Sequence, residues 1–242
     1  MSMQLGILGI VILTLIASRL LRSLYYIQLG YKQAARTKPY VRTLADPQFK
    51  ILFVGDSTGV GTGASSPEYS IAGLIAQKYP TASVINSAVN GAKVEDVCTQ
   101  LEQISGYYDL IVMHTSGNDI VRFTPYRKFA RDLRIALTLA KNKAKYVLLI
   151  PVGNAGSIRI FRFPLRWWME WRTRAIRLRS LAAVAAAGPT VRYVDLFVEK
   201  AVDPFIQDPQ QYFSEDQFHP SDAGYAQWMT KITVELDHFD LR

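Results

Sequence analysis

The chain has 242 residues, 49% hydrophobic and 20% charged, which is apolar enough for one ordinary domain plus a short appendage and excludes wholesale disorder. A net charge of +8 leaves nucleic acid, an anionic membrane surface or an acidic substrate open as partners. Cys98 is the only cysteine, which excludes an intrachain disulfide and any multi-cysteine metal site, and only His114, His219 and His238 are available for imidazole chemistry.

The first feature along the chain is an uncharged apolar run, LGILGIVILTLIA at 5–17, followed by Arg19 and Arg22. A run this short suits a membrane anchor, a signal-peptide core or a buried helix. No basic residue precedes it and no convincing small-x-small cleavage site follows. A retained anchor over 1–23 is therefore the favoured reading, with a cleaved signal or a soluble core helix as alternatives. Arg19, Arg22, Lys32, Arg36, Lys38 and Arg42 all follow the run, so the positive-inside rule places the remainder on the cytoplasmic side. Cleavage would instead make it periplasmic or secreted. Residues 24–47 are basic and tyrosine-rich and read as a juxtamembrane connector to a domain over 48–242.

Within that domain the pattern alternates. KILFV (50–54), ASVINS (82–87), DLIVMH (109–114), YVLLIP (146–151) and VRYVD (191–195) are short and nearly continuously apolar, as strands covered on both faces are. Helices are expected at about 68–79, 93–104, 125–142 and 165–187, with a last one after Ser221. Such alternation predicts an α/β fold, a parallel sheet sandwiched between helices. Ligands in open sheets of this kind bind beyond the carboxyl ends of the strands. GDSTGVGTG (55–63), AVNGAK (88–93) and TSGNDI (115–120) follow the first three strands there, and DQFHP (216–220) is long enough in its connection to return to the same edge.

Those four loops hold the parts of a serine nucleophile site. Such a site needs a base near the hydroxyl, a group that holds the base, and donors for the developing oxyanion. Ser57 follows the first strand, His219 is the candidate base, and Asp216 lies three residues before it. The backbone N–H of Ser57, the backbone N–H of Gly91 and the side-chain amide of Asn118 are candidate oxyanion donors. Asp56 and Asp119 read as structural turn and cap residues, His114 as a core histidine, and His238 has no evident role.

Taken together, these residues resemble the SGNH, or GDSL-type, esterases and lipases. Gly55-Asp56-Ser57 matches the nucleophile block, Gly91 in INSAVNGAKVED the second-block glycine, Gly117-Asn118-Asp119 the GxND block and Asp216–His219 the terminal DxxH block. The resemblance spans roughly 48–235. It implies a flavodoxin-like three-layer α/β/α sandwich with a five-stranded parallel sheet. It also implies hydrolysis of esters, thioesters or carbohydrate acetyl groups without metal or other cofactor. Two departures stand out: Ser116 where many members carry glycine, and Thr58-Gly59 where hydrophobic or leucine positions are commoner.

The stretch RIFRFPLRWWMEWRTRAIRLRS (159–180) holds three of the four tryptophans and seven arginines. On a helix, Trp171, Ala175, Leu178 and Ala182 form one apolar stripe, which gives an ordinary packed helix with an arginine-rich outer face. The rival is an interfacial segment, since tryptophan and arginine favour an anionic headgroup layer. Nucleic acid is not expected, because no stacking platform or RNA motif accompanies the charge. Gly59, Gly61 and Gly63 resemble a phosphate-cradling loop, but no P-loop lysine follows. The sequence therefore predicts a serine esterase or lipase acting on an ester-bearing small molecule or lipid. A carbohydrate O-acetyl esterase and a catalytically silent membrane scaffold are the alternatives.

Overall fold

The computed structural model describes residues 2–241. Helix α1 runs from Ser2–Arg36 and strand β1 from Phe49–Gly55. In chain order there follow α2 (Ser57–Val60), α3 (Ile71–Lys78), β2 (Ala82–Asn86), α4 (Val94–Gln103), β3 (Tyr108–Thr115) and α5 (Gly117–Val121). The second half contains α6 (Tyr126–Lys141), β4 (Ala144–Pro151), α7 (Leu165–Ala187) and β5 (Val191–Tyr193). Two short helices, α8 (Pro204–Gln207) and α9 (Pro209–Tyr212), precede α10 (Asp222–Leu236).

The five strands form one parallel sheet in the order β2-β1-β3-β4-β5. This is the flavodoxin-like order, with its topological switch between β1 and β3. Helices α4, α6 and α7 pack in a row on one face, and α3 and α10 pack together on the other. Coverage on both faces explains the uninterrupted apolar strands: Ile51, Leu52, Phe53 and Val54 of β1 and Leu110 to Met113 of β3 are fully buried. Helix α6 shows the complementary period, burying Phe129, Leu133, Ala136, Leu137 and Ala140 along one stripe.

Two expectations need correction. Helix α7 has the expected bounds, but its buried stripe is Met169, Arg172, Thr173, Ile176, Ser180 and Ala183. Trp171 and Leu178, assigned inward from the sequence, are 48% and 62% exposed. The helix is turned by about one residue's rotation, roughly 100°, because Arg172 finds backbone acceptors inside.

The second correction concerns the N-terminus. Most side chains of the 5–17 run lie outside those described. Among the described residues no helix is long and apolar enough to cross a membrane, so the expected anchor and its cytoplasmic orientation gain no support. Helix α1 continues to Arg36, and Arg42 pairs antiparallel with Val84 at the β2 edge. The Arg42 guanidinium also donates to the carbonyls of Ala82 and Tyr79 at 2.9 and 2.5 Å.

Candidate active site

Strand β1 ends at Gly55, where φ is +140° and a Cβ would fall 1.8 Å from the His114 carbonyl oxygen. Only glycine lets β1 and β3 close at this point. Gln100 of α4 holds the same residue from the side, accepting from its N–H at 2.8 Å and donating to its carbonyl at 3.0 Å. Asp56 then caps α2. Its Oδ1 accepts from the Thr58 N–H at 3.0 Å and the Thr58 hydroxyl at 2.6 Å. Ser57 is the first residue of α2, a position whose N–H has no intrahelical acceptor.

On the other side of the switch point, β3 delivers Ser116 and α5. Ser116 sits at φ +89°, a left-handed conformation that glycine adopts more readily than serine. The Asn118 amide donates to the Ala92 carbonyl at 3.1 Å, fastening α5 to the loop that carries Gly91. Asp119 turns inward and accepts from the Val94 N–H at 3.0 Å, so it serves the start of α4. Burial raises its carboxyl above the ordinary value, with that hydrogen bond opposing. Underneath, the buried Arg172 donates to the carbonyls of Ile120, Asp119 and Thr124 at 3.0, 3.1 and 2.9 Å.

The fourth segment closes the site. Phe213 pairs with Pro220, and the Ser214 N–H donates to the His219 carbonyl at 2.8 Å, forming a tight loop around Asp216. Asp216 is fully buried. Its Oδ1 accepts from the N–H groups of Phe218 and His219, each at 2.9 Å, and from the Ser214 hydroxyl at 2.8 Å. Its Oδ2 lies 2.5 Å from His219 Nδ1, and His219 Nε2 lies 2.9 Å from Ser57 Oγ. Burial alone would raise the Asp216 carboxyl, but the His219 hydrogen bond and charge, with the two backbone donors, hold it below the ordinary value.

A polar cluster lies behind the serine. His114 is fully buried, and burial pushes its imidazole down to about 3. Its Nδ1 is 2.8 Å from Thr58 Oγ1. Thr58 has one hydroxyl proton, and Asp56 receives it, so His114 must donate from Nδ1 and leave Nε2 as a buried acceptor without a partner among the described residues. Burial pushes the Asp56 carboxyl up to about 6, against the Thr58 hydrogen bonds.

Ser57, Asn118 and His219 face one cavity of about 70 Å³, whose walls include Val152, Ile158, Leu196 and Phe205. Gly91 lines a separate groove with Asn90 and Asp96. The structure thus gathers Ser57, Asn118, Asp216 and His219, sets Gly91 on the neighbouring loop, and leaves His238 apart on the turn after α10. Among the described residues no group of three His, Cys, Asp or Glu side chains is placed to hold a metal ion. Gln100, Arg172 and Ser214 were missed from the sequence. Each reads there as an ordinary polar residue, and its role comes from backbone or side-chain partners distant or irregular in sequence.

A model of the GDSL-like lipase/acylhydrolase family matches residues 53–227. The GDSL-like esterase Rv1075c of Mycobacterium tuberculosis is 28% identical over 185 residues, 73% of this chain. The chain spans 58% of that relative's length. Among solved structures, TesA superposes with a TM-score of 0.61 at 18% identity, over 77% of this chain and 97% of its own. An acetyl xylan esterase from Geobacillus stearothermophilus gives 0.53 at 20% identity, over 80% and 96%. At these identities the structural likenesses speak for the fold alone.

Proposed function

The chain belongs to the GDSL-like lipase/acylhydrolase family, and from that premise we propose that it hydrolyses carboxylic esters with Ser57 as nucleophile. The observation that carries this reading is the continuous relay from Asp216 Oδ2 through His219 to Ser57 Oγ, at 2.5 and 2.9 Å. Ser57 Oγ attacks the ester carbonyl as His219 Nε2 takes its proton. Asp216 holds the imidazole by Nδ1–H and stabilises the imidazolium that forms. Negative charge moves to the carbonyl oxygen, where the N–H groups of Ser57 and Gly91 and the Asn118 amide donate. The imidazolium then protonates the departing alcohol, leaving an acyl-Ser57 ester. Water, deprotonated by His219, attacks that ester and releases the acid and free Ser57. A catalytically silent scaffold would have no need of this relay.

The apolar cavity of about 70 Å³ suits a short acyl group rather than a long chain. Kinetics on p-nitrophenyl esters of graded length test both points. Turnover should peak at short acyl chains and vanish in Ser57→Ala. A sugar O-acetyl group would fit the same cavity, so acetylated oligosaccharides belong in the panel.

A second reading, contact with a lipid surface, is favoured by the outer face of α7. Phe163 is 87% exposed, and Trp167, Trp168 and Trp171 are also exposed among arginines. The same segment reaches the catalytic loop, because Arg159 donates to Gln217 at 3.2 Å and Phe161 meets Phe218 edge-on. Binding to vesicles containing phosphatidylglycerol at low salt, reduced in a Trp167→Ala/Trp168→Ala double variant, is expected. Absence of binding would remove the lipid reading and leave esterolysis untouched.

A further inference from the structure

The last turns of α1 meet the loop that carries Asp216. The half-buried positions of this part of the helix are Ser23, Tyr26, Leu29, Gly30, Gln33, Ala34 and Thr37, a three-and-four spacing that marks one face turned to the domain. At Gly30 a Cβ would stand 3.1 Å from Asp216 Oδ2 and 3.8 Å from Asp216 Cβ. One turn on, Gln33 Oε1 lies 3.2 Å from Ser214 Oγ, which is itself 2.8 Å from Asp216 Oδ1, so two acceptors face the one hydroxyl proton. The Asn90 amide donates to the Ala34 carbonyl at 3.0 Å, so the same helix end also holds the loop carrying Gly91.

The proton count along this chain fixes its direction. Ser214 has one hydroxyl proton, and the carboxylate is the stronger acceptor. That proton therefore goes to Asp216, and Gln33 serves the hydroxyl best by donating from Nε2 to Ser214 Oγ. The structure points Oε1 at the hydroxyl, and a half-turn of the amide puts Nε2 in its place. A relay then runs from Gln33 Nε2–H to Ser214 Oγ–H to Asp216 Oδ1, opposite the Oδ2 that holds His219.

We infer that the C-terminal end of α1 is part of the active site, with Gln33 a positioning residue that acts through Ser214 on Asp216 and Gly30 the gap that admits the helix. The inference rests on the Ser57-His219-Asp216 reading above. It makes the N-terminal helix a determinant of turnover, whatever its first half contacts.

The test uses the full-length chain and p-nitrophenyl acetate. Gln33→Met keeps the length and loses the donor, and kcat should fall by about tenfold with KM little changed, the worth of one hydrogen bond in a charged relay. Gln33→Glu draws the Ser214 proton away and adds a negative charge, which favours the His219 imidazolium. The acid limb of kcat/KM should therefore move to higher pH. Among the described residues, Asp56 behind Ser57 and Tyr225 of α10 interact with the pair, and Arg36 and Lys38 line the groove beside Gln33; all four are unaltered in these variants. Gly30→Ala should lower kcat although alanine favours a helix interior. Tyr31→Ala, on the exposed face, is the control and should match the wild type. If Gln33→Met does not fold, Gly30→Ala decides alone. Folded Gln33 and Gly30 variants with wild-type kcat and superimposable pH profiles would overturn the inference. Activity persisting in Ser57→Ala would instead overturn the nucleophile on which it stands.

Discussion

Replacing the buried Arg172 of α7 with methionine is expected to destabilise the fold by several kcal/mol, on the order of a lost buried charge network. The side chain is 5% exposed. Its guanidinium supplies three bonds to carbonyls of α5 and of the turn that follows it, at 2.9 to 3.1 Å, and lies over Phe123 and Tyr126 at 5.0 and 4.9 Å. Methionine keeps the stem but removes all three donors: the Asp119 and Ile120 carbonyls retain backbone N–H partners from Thr124 and Phe123, and the Thr124 carbonyl loses its Arg172 bond. Bonds to a charged group contribute about 1.5–3 kcal/mol each, but they share one desolvated guanidinium and do not add, so a net loss of about 3–5 kcal/mol follows. For a domain of this size that lowers Tm by about 10 °C. Because α5 carries Asn118, kcat should fall as well, by about tenfold. Arg172→Lys should recover little, since an ammonium cannot span three acceptors. Thermal unfolding followed by circular dichroism, with ester kinetics on the same preparations, reads both effects. A variant within about 2 °C of the wild type would refute the idea that Arg172 holds the oxyanion loop.

Asn118→Ala should lower kcat by about 10²–10³-fold, the usual effect of losing one oxyanion donor, whereas a rise in KM alone would assign the amide to binding. Asp56 gives a pH signature. Its carboxyl is raised to about 6 in the fold, so between its unfolded value and 6 the native state binds more proton than the unfolded state, and stability falls as pH rises through that window. Asp56→Asn should remove this slope, about 2 kcal/mol between pH 4 and 6, and a Tm–pH curve parallel to the wild type would contradict it. Since every proposed role belongs to a side chain or backbone N–H, ester hydrolysis should survive exhaustive EDTA. Loss on chelation with recovery on adding zinc would call for a different mechanism.

The strands were legible because burial on both faces writes a nearly pure apolar run, and β1 to β4 begin and end within two residues of those runs. The loops at their carboxyl ends carried Ser57, Gly91 and Asn118 in plain view, because small and glycine-rich segments there have little other reason to be polar. What stayed hidden was decided by distant partners. Helices α2 and α5 are four and five residues long, too short for any period to show. Arg172 is buried because three carbonyls from another segment await it, a fact no helical wheel contains, and the same partners turned the tryptophans outward. Residues 24–36 read as connector because their composition is mixed, yet Gly30 and Gln33 make their contacts one side chain at a time. Hydropathy cannot register a helix docked by a missing Cβ and one amide.

The central claim is that Ser57, activated by His219 and Asp216, is the group that attacks the ester. A fluorophosphonate probe followed by peptide mass spectrometry tests it directly, because the probe phosphonylates only a serine whose proton is already being drawn away. Ser57 should be the single labelled residue, His219→Ala should slow labelling by orders of magnitude, and Ser57→Ala should show neither label nor turnover. Labelling at another serine, or ester hydrolysis undiminished in Ser57→Ala, would contradict the account.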